Sequence, residues 1–333
     1  MAYRSLSRRA VSQNRKSDRR CTYVVSIEKT DAGGGDLRSL ADYLSILGTY
    51  GCDVIVFDAS APEVFDENRR VLRWVARHLA MRAPFDVVRS AADFAASEKI
   101  VVAHEDVRYG AAELDEMCAL LDAHEVVEPQ DYLDPLPWWG GIEAGRMLVH
   151  RGVDPLPDHG ATFGFRRNAL RALRGFNAVD ITDPVPRLAA FGAEVFSAFE
   201  LFVKRQPPEL NTWLRDRPHA ADDDFGMPVK TTFFFALLPM TLLLFVFGGG
   251  RLATGYLGAI AFGALVLAVR GRSGAAPYFP LRACLYAPLW IVERSMSVYW
   301  ALALKLSGSQ APAPVRTGEA PVLGRINAGG GTR

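Results

Sequence analysis

Residues 22–220 alternate short β-rich runs with stretches of helical periodicity. The run from Tyr23 to Ile27 predicts the first strand, and two later apolar runs, 54–57 and 100–103, predict further strands. Between the first two runs, apolar residues recur at the spacing that places them on one face of a helix: Leu37, Leu40, Ala41, Leu44 and Leu47. Strands that alternate with helices in this way predict an α/β domain, in which helices flank a parallel or mixed sheet.

A different pattern begins near residue 231, where charged side chains disappear. Residues 231–250 contain none, and neither do residues 252–269. Each run is long enough to cross a hydrocarbon layer about 30 Å thick as a helix, which predicts spans at about 231–249 and 252–270. A buried hairpin in a soluble protein is the alternative. The short separation, a Gly-rich turn and Arg251, favours a membrane hairpin.

Charges on either side of the hairpin predict its orientation. Lys230 precedes the first run, and three arginines follow the second: Arg270, Arg272 and Arg282. Positive charge accumulates on the cytoplasmic side of membrane helices, so both outer ends are predicted to be cytoplasmic. The basic N-terminal twenty residues have no apolar run of the kind that a secretory signal needs. We therefore expect an inner-membrane protein whose large domain lies in the cytoplasm.

Residues 281–306 are apolar but contain Pro288, Glu293 and Arg294, together with several Trp and Tyr residues. These features favour a helix lying in the membrane interface over a third span. From residue 307 onward the Gly, Pro and Ala content predicts a disordered tail. The predicted organisation is a basic disordered segment at 1–21, the α/β domain at 22–225, the membrane region at 226–306 and the tail at 307–333.

Composition and the common short motifs exclude several classes of function. The chain has 38 basic and 37 acidic residues, which argues against a nucleic-acid binder that depends on overall positive charge. Its four cysteines form no CxxC pair, and its six histidines form no HExxH motif, so zinc-site signatures are absent from the sequence. The glycines at 33–35 match neither a dinucleotide-binding motif nor a P-loop.

Acidic residues follow the ends of two predicted strands. Asp58 comes directly after the second run, and Glu105 and Asp106 come shortly after the third. In open α/β sheets ligands bind beyond the carboxyl ends of the strands. A carboxylate there can bind a nucleoside, and a pair can hold a divalent cation against a diphosphate. For any one of these acids alone, a helix cap or turn is the alternative.

The order of several motifs resembles glycosyltransferase family 2, whose members have the GT-A fold. Asp58 occupies the place of that family's nucleotide-binding Asp, and residues 103–108 (AHEDVR) occupy the place of its metal-binding DxD stretch, with His104 instead of the first acid. Residues 160–167 (GATFGFRR) and 174–176 (RGF) are similar to its small-residue strand, Arg-Arg pair and GGF element. The QxxRW element would fall at 213–219, without its Gln and its final Trp.

The resemblance implies a role for each of these positions. It implies that Asp106 binds Mg²⁺ or Mn²⁺ and that Asp183 is the catalytic base, with Asp180 as a competing candidate. The implied donor-binding residues are Glu28, Asp58, Glu105, Arg215 and Arg217. The implied acceptor or sugar pocket comprises Trp138, Trp139, Gly160, Thr162, Arg166 and Arg167. For the arginines the alternative is a surface position, and for the two tryptophans it is core packing or contact with the bilayer.

The function implied is an inverting glycosyltransferase that moves a sugar from a nucleotide-diphosphate donor to a membrane-lipid or lipid-linked acceptor. A catalytically impaired relative, kept as a membrane-bound binding or scaffold protein, is the main alternative, because His104 and the incomplete QxxRW element depart from the family pattern. A transporter is disfavoured, since two spans and an interfacial helix offer no evident pathway.

Overall fold

The computed structural model describes residues 20–27, 37–82, 85–154, 161–172, 184–223, 225 and 228–307. The strands of the described part are β1 (Thr22–Ile27), β2 (Asp53–Asp58), β3 (Arg77–Ala80), β4 (Lys99–His104), β5 (Val107–Arg108), β6 (Val126–Leu133), β7 (Thr162–Arg166) and β8 (Val195–Arg205). Its helices are α1 (Leu37–Thr49), α2 (Pro62–Leu72), α3 (Val87–Phe94), α4 (Ala111–Ala123), α5 (Trp138–Val153), α6 (Arg167–Ala172), α7 (Pro184–Ala190), α8 (Leu210–Asp223), α9 (Pro228–Gly271), α10 (Leu281–Cys284) and α11 (Ala287–Leu306).

The strands form one mixed sheet in the order β3-β2-β1-β4-β7-β6-β8-β5. Strands β1 to β4 pair in parallel, β7 runs antiparallel to both β4 and β6, and β8 is parallel to β6. The predicted strands and the helical face of α1 are confirmed. The predicted fold class is confirmed as well: the sheet is the GT-A type of mixed α/β arrangement flanked by helices, and a long apolar C-terminal helix follows it.

Alternation along the central strands gives the sheet two buried faces. Tyr23 and Val25 pack with α1 and α4 on one side, whereas Val24, between them, packs with α3 on the other. A strand points successive side chains to opposite faces, so a continuously apolar strand must be covered on both. This double coverage explains why the early strands read as unbroken apolar runs.

The sheet curls, and the connection between β4 and β5 shows why it must. β5 begins three residues after β4 ends, so this connection spans at most about 11 Å. In a flat sheet β5 would lie four strand spacings from β4, or about 19 Å. The curl brings β8 and β5 back toward β4, and the connecting residues, Glu105 and Asp106, lie where the curl closes.

A second core joins the C-terminal helices to the sheet domain. Leu148 of α5, Phe234 and Ala268 of α9, and Trp290 of α11 are buried together in it. α9 contains one residue with non-helical backbone angles, Gly249 at φ 71° and ψ 175°. Phe234 contacts the ring of Trp290, Trp290 contacts His150 of α5, and Gly152 of α5 lies against Leu267. Phe234 and Leu267 are therefore close together, so the two halves of α9 fold back on each other. In a straight helix those two residues would be about 50 Å apart.

α5 approaches the C-terminal helices through small residues. A Cβ atom on Gly145 would lie 2.7 Å from the backbone nitrogen of Ala287, and one on Gly141 would lie 2.7 Å from the ring of Tyr286. Gly152 and Gly271 likewise lie against the backbones of α9 and α5, respectively. Small residues permit this close approach of helices, as they do between helices in membranes. The sheet domain and the apolar helices are therefore packed directly on one another.

Candidate active site

The carboxyl ends of the parallel strands meet at one edge of the sheet, and the predicted acidic residues lie along it. The chain leaves β1 toward β2 on one side and later returns to place β4 on the other, which makes this position the topological switch point of the sheet. Ligands of open α/β sheets bind in the crevice at such a point. Asp58 pairs with Ile27 and His104 pairs with Ser26, so Asp58 and His104 are about 10 Å apart across β1.

Asp106 makes an ion pair at this edge. Its Oδ2 atom lies 2.6 Å from Nε of Arg205, the last residue of β8. The Nη1 atom of Arg205 also lies 3.4 Å from Oδ2 of Asp131, on β6. We call Asp106, Asp131 and Arg205 the Arg205 cluster. Its side chains are partly accessible, at 25%, 15% and 29% exposure, respectively, so the cluster faces the edge rather than the core.

Charge coupling within the Arg205 cluster stabilises the ionised forms of its members. Burial acts to raise the pKa of the Asp106 carboxyl, but Arg205 and His104 outweigh burial and leave that pKa below its ordinary value. Burial acts to lower the pKa of Arg205, and the carboxylates of Asp106 and Asp131 more than reverse the effect. The pair is therefore fully charged at neutral pH.

A second arginine is connected to the Arg205 cluster through Gln206. The backbone nitrogen of Gln206 donates to the carbonyl oxygen of Asp106, at 2.8 Å, and its side-chain oxygen accepts from Nη2 of Arg108, at 2.9 Å. The Arg108 guanidinium lies over the ring of Tyr43. Arg108 ends the predicted metal-binding stretch and Arg205 lies beside it, and guanidinium groups bind phosphate oxygens well.

The residues around Asp106 fit only in part the divalent ion that the resemblance implies. The other carboxylate oxygen of Asp106, Oδ1, is buried and has no hydrogen-bond partner in the described part of the chain. A single oxygen can contribute to a Mg²⁺ site that is completed by substrate phosphates. However, the described residues include no group of three or more His, Cys, Asp or Glu side chains suited to a metal, and Arg205 already occupies Oδ2. These residues therefore do not form a self-contained metal site.

Asp58 is buried, and its carboxylate is bound within the protein. Oδ1 accepts from the backbone of Ser60 at 2.9 Å, while Oδ2 accepts from Asn68 at 2.9 Å and lies 2.8 Å from Nε2 of His78. Burial acts to raise its pKa, but His78, Ser60 and Asn68 outweigh burial and lower it. The His78 ring stacks on Phe65. Asp58 therefore connects β2, α2 and β3, and in this conformation its oxygens face internal donors.

The predicted sugar-pocket residues of β7 lie at two different edges. Thr162 pairs with Ala103 near the carboxyl end of β4, where its hydroxyl donates to the carbonyl of Val102 and contacts the hydroxyl of Tyr109. Because β7 runs antiparallel to β4, Arg166 pairs with Lys99 at the opposite end, about 17 Å from the carboxyl edge. Arg167 donates there to the carbonyls of Ala95 and Ser97. The structure therefore does not bring these two arginines to the acidic residues.

Arg215 and Arg217 lie on the helix α8 rather than in a turn. Arg215 is exposed. Arg217 is buried over the ring of Trp213, and its Nη1 lies 3.3 Å from Oε2 of Glu143 on α5. The other oxygen of Glu143 lies 2.6 Å from Nε of Arg146. Arg217 therefore serves a buried ionic contact between α8 and α5.

Trp138 and Trp139 begin α5, just after the carboxyl end of β6. Trp138 is exposed, whereas Trp139 donates from Nε1 to the carbonyl of Pro208 at 3.1 Å and packs against the second core. Of the two, Trp138 is the more exposed, and Trp139 is partly buried. Glu28, Gly160, Asp183 and its competitor Asp180 lie outside the described residues.

Several residues of this edge were not identified from the sequence. Arg205 ends an apolar run (FELFVKR) that reads as an ordinary strand, and Asp131 belongs to none of the motifs that the sequence analysis singles out. The available signal was the Lys-Arg pair at the end of that run, just before Gln206 and two prolines. Charged residues at a strand end or just past it are informative at whichever strand they occur.

The chain matches no protein-family model and no curated protein. Among solved structures, glucosyl-3-phosphoglycerate synthase from Mycobacterium tuberculosis with phosphoglyceric acid is 16% identical over 60% of this chain and 76% of its own, with a TM-score of 0.36. A second structure of that synthase, with the same identity, coverage and TM-score, contains Mn²⁺, UDP and glucosyl-3-phosphoglycerate. S. aureus TarS 1–349 in complex with UDP-GlcNAc is 10% identical over 87% of this chain and 93% of its own, with a TM-score of 0.38. Similarity this weak assigns neither a family nor an activity.

Proposed function

We propose that the chain is a glycosyltransferase that uses a nucleotide-diphosphate sugar and works at the cytoplasmic face of the inner membrane. The observation that carries the proposal is the Arg205 cluster, which lies at the carboxyl edge of a curled GT-A-type sheet, where the β4–β5 connection closes the curl. Partly exposed guanidinium groups at a switch-point crevice suit a diphosphate. The order of motifs in the sequence supports the same assignment.

The proposed reaction is a single displacement with inversion. An acceptor hydroxyl attacks the anomeric carbon, the new carbon–oxygen bond forms as the bond to the diphosphate breaks, and the nucleoside diphosphate leaves with the bonding electron pair. Asp183 takes the proton of the acceptor hydroxyl. Arg205 and Arg108 stabilise the negative charge that develops on the leaving diphosphate. The assignment of Mg²⁺ or Mn²⁺ to Asp106 stays a prediction, and these residue roles do not depend on the ion.

The contacts of Asp58 constrain how it would take part. A nucleoside would have to displace Asn68, Ser60 or His78 from its oxygens, or contact it through one of them. We propose that Asp58 fixes the turn after β2 against which the nucleoside rests. Glu105 and Arg215 remain proposed donor contacts, while Trp138 and Thr162 remain proposed contacts of the sugar or acceptor.

The acceptor is proposed to be a membrane lipid or a lipid-linked molecule. The first turn of α5, which begins with the exposed Trp138, packs against Tyr286 and so joins the carboxyl edge of β6 to the apolar C-terminal helices. An enzyme held at the surface that carries its acceptor meets that acceptor at a raised effective concentration. Membrane attachment would thus place Trp138 on the side from which such an acceptor arrives.

A second candidate, an impaired relative that binds but does not transfer, is favoured by one observation. Asp58 and one oxygen of Asp106 are both occupied by internal partners. Both candidates bind the nucleotide sugar, but only the active enzyme transfers the sugar.

Thermal unfolding of the full chain in a panel of UDP-, GDP- and dTDP-sugars, with Mn²⁺ or with EDTA, tests the assignment. A ligand that binds only the folded state raises the midpoint. We expect one nucleotide class to do so, and expect Asp106→Asn to weaken the shift while Asp115→Asn, at an exposed position on α4, leaves it unchanged. Sugar release or transfer with membrane lipids then separates an enzyme from an impaired relative. A panel with no shift at all would contradict both.

A further inference from the structure

We propose that the two halves of α9 form a hairpin that enters the bilayer from the cytoplasmic face and turns within the hydrocarbon, without emerging on the opposite side. The proposal rests on the membrane attachment proposed above and specifies how deeply the hairpin enters the bilayer. By length and composition, α9 is able to span a membrane, with an 18-residue window of mean hydropathy 2.1. What limits its reach is how much of each half packs against the rest of the protein.

The base of the hairpin is held by α5 and α11. Phe234 contacts the ring of Trp290, and Phe235 accepts a hydrogen bond of 2.6 Å from the hydroxyl of Tyr299. On the other half, Leu267 lies against Gly152 of α5. These contacts fix the start of the first half and the end of the second half to the domain.

α11 lies across the hairpin rather than along it. Trp290 and Tyr299 are separated by about 13 Å along α11, yet they contact neighbouring residues of α9, Phe234 and Phe235. Two helices packed side by side would instead pair residues at equal spacing. Further along α11, Lys305 pairs with Asp222 of α8, back on the domain.

The outward face of α11 is an exposed apolar stripe at helical spacing. Its members are Leu289, Val292, Met296 and Trp300. The opposite face, which includes Trp290, Ser295 and Val298, is buried against the domain. A helix of this kind lies in the membrane interface, with its apolar side in the acyl boundary. The level of α11 therefore marks the membrane surface, in agreement with the exposed cations that flank the hairpin, Arg270 and Arg282.

From that level the hairpin extends too little to cross. Phe235 and the turn at Gly248 are thirteen residues apart, which corresponds to about 20 Å of helix, whereas the hydrocarbon is about 30 Å thick. In this placement the long Arg251 side chain would reach a few ångströms further, toward the far headgroups. The turn would therefore lie beyond the midplane but still inside the acyl region, about 10 Å short of the far headgroups.

The composition of the tip fits this position. Phe245, Val246 and Phe247 are exposed, the last at 84%, and no polar side chain follows until Arg251. Three large apolar side chains before a turn in water would be costly, but they are favourable in lipid. Gly249 is the one residue of α9 with non-helical angles, so few backbone groups lose their partners at the turn.

Cysteine labelling of the full chain in phosphatidylcholine and phosphatidylglycerol vesicles tests the depth. The four native cysteines are buried, so background labelling is low. A Cβ on Gly250 meets nothing closer than 3.8 Å, which makes Gly250→Cys a suitable tip probe, and Glu116→Cys on α4 is the exposed control. A membrane-impermeant maleimide is supplied outside the vesicles or trapped in their lumen. From outside, we expect Gly250→Cys to react about ten-fold more slowly than Glu116→Cys, or slower still, because a thiol in hydrocarbon does not ionise. From the lumen we expect no reaction. In SDS, which removes the bilayer, Gly250→Cys should react fully.

Labelling of Gly250→Cys from the lumen would overturn the proposal, because the turn would then cross the bilayer. Labelling from outside at the rate of Glu116→Cys would overturn it too, since the hairpin would lie in water. As a second variant, Phe247→Asp should lower vesicle binding by roughly 100-fold, because an acid is costly inside the bilayer, while Phe247→Leu should leave binding unchanged. Wild-type vesicle binding by Phe247→Asp would also contradict the proposal. Nucleotide-sugar binding in detergent is independent of all these outcomes and tests the glycosyltransferase assignment separately.

Discussion

Arg205 Nε lies 2.6 Å from Oδ2 of Asp106, although 99 residues separate them in the chain. The contact exists because the curl of the sheet returns the end of β8 to the β4–β5 connection. A cation of the protein is thus already present on the carboxylate that the family resemblance assigns to a metal.

Replacing Arg205 should make nucleotide-sugar binding more dependent on a divalent ion. Arg205→Gln removes the positive charge between two carboxylates, so we expect weaker binding in EDTA and a partial recovery with Mn²⁺ that the wild type does not need. Titration calorimetry with the nucleotide sugar that binds the wild type measures the affinity in EDTA and the affinity with Mn²⁺. Lys204→Gln is the matched control, since that neighbour pairs with the exposed Asp134. Equal metal responses in the two variants would argue against a charge-compensating role for Arg205.

Asp58→Asn should destabilise the domain by about 1–3 kcal/mol, because an amide cannot accept from all the donors that the carboxylate satisfies. The free energy of unfolding in urea, measured in detergent, tests this expectation. Asp66→Asn, at an exposed position on α2, should change it little. If the two substitutions had equal effects, the internal contacts of Asp58 would not contribute as the structure indicates.

Gly145→Ala should loosen the packing of α5 on α11. The added Cβ would lie 2.7 Å from a backbone nitrogen, which cannot move without displacing the helix. We expect the free energy of unfolding to fall by about 1–3 kcal/mol, as it does at overpacked sites. Gly48→Ala, in the open at the end of α1, should instead be neutral or stabilising by up to about 1 kcal/mol. The thermal midpoints of the two variants, each compared with that of the wild type, test this expectation. A Gly145→Ala variant with the wild-type midpoint would contradict the close contact.

The contact between α5 and the C-terminal helices should weaken in mild acid. Burial, together with Arg146 and Lys230, lowers the pKa of His150 from 6.5 to about 3. Since the folded value is the lower one, protonation favours the unfolded chain, and stability is lost as the pH falls from about 6.5 toward 3, at up to about 1.4 kcal/mol per pH unit. His150→Gln should remove this part of the pH dependence. The free energy of unfolding of the wild type and of His150→Gln, measured between pH 7 and 4.5, tests this prediction. Identical dependence on pH in the two proteins would refute it.

The sequence by itself determined the class of the fold. Apolar runs of strand length alternate with helical periodicity, and each pattern requires its own element, because a buried face must repeat at the period of the backbone that presents it. The long uncharged stretch likewise predicted apolar helices, since length and composition alone decide whether a helix suits hydrocarbon. The position of Asp58 at the end of β2 followed from the same local reasoning.

The tertiary structure alone decided which charges meet. Arg166 and Arg167 look like site residues in the sequence, but the antiparallel direction of β7 places them at the far end of the sheet. Arg205 looks like the end of an ordinary strand, yet the curl brings it to Asp106. Strand direction and curl depend on the packing of the whole sheet, so no local pattern encodes the resulting contacts between residues far apart in the chain.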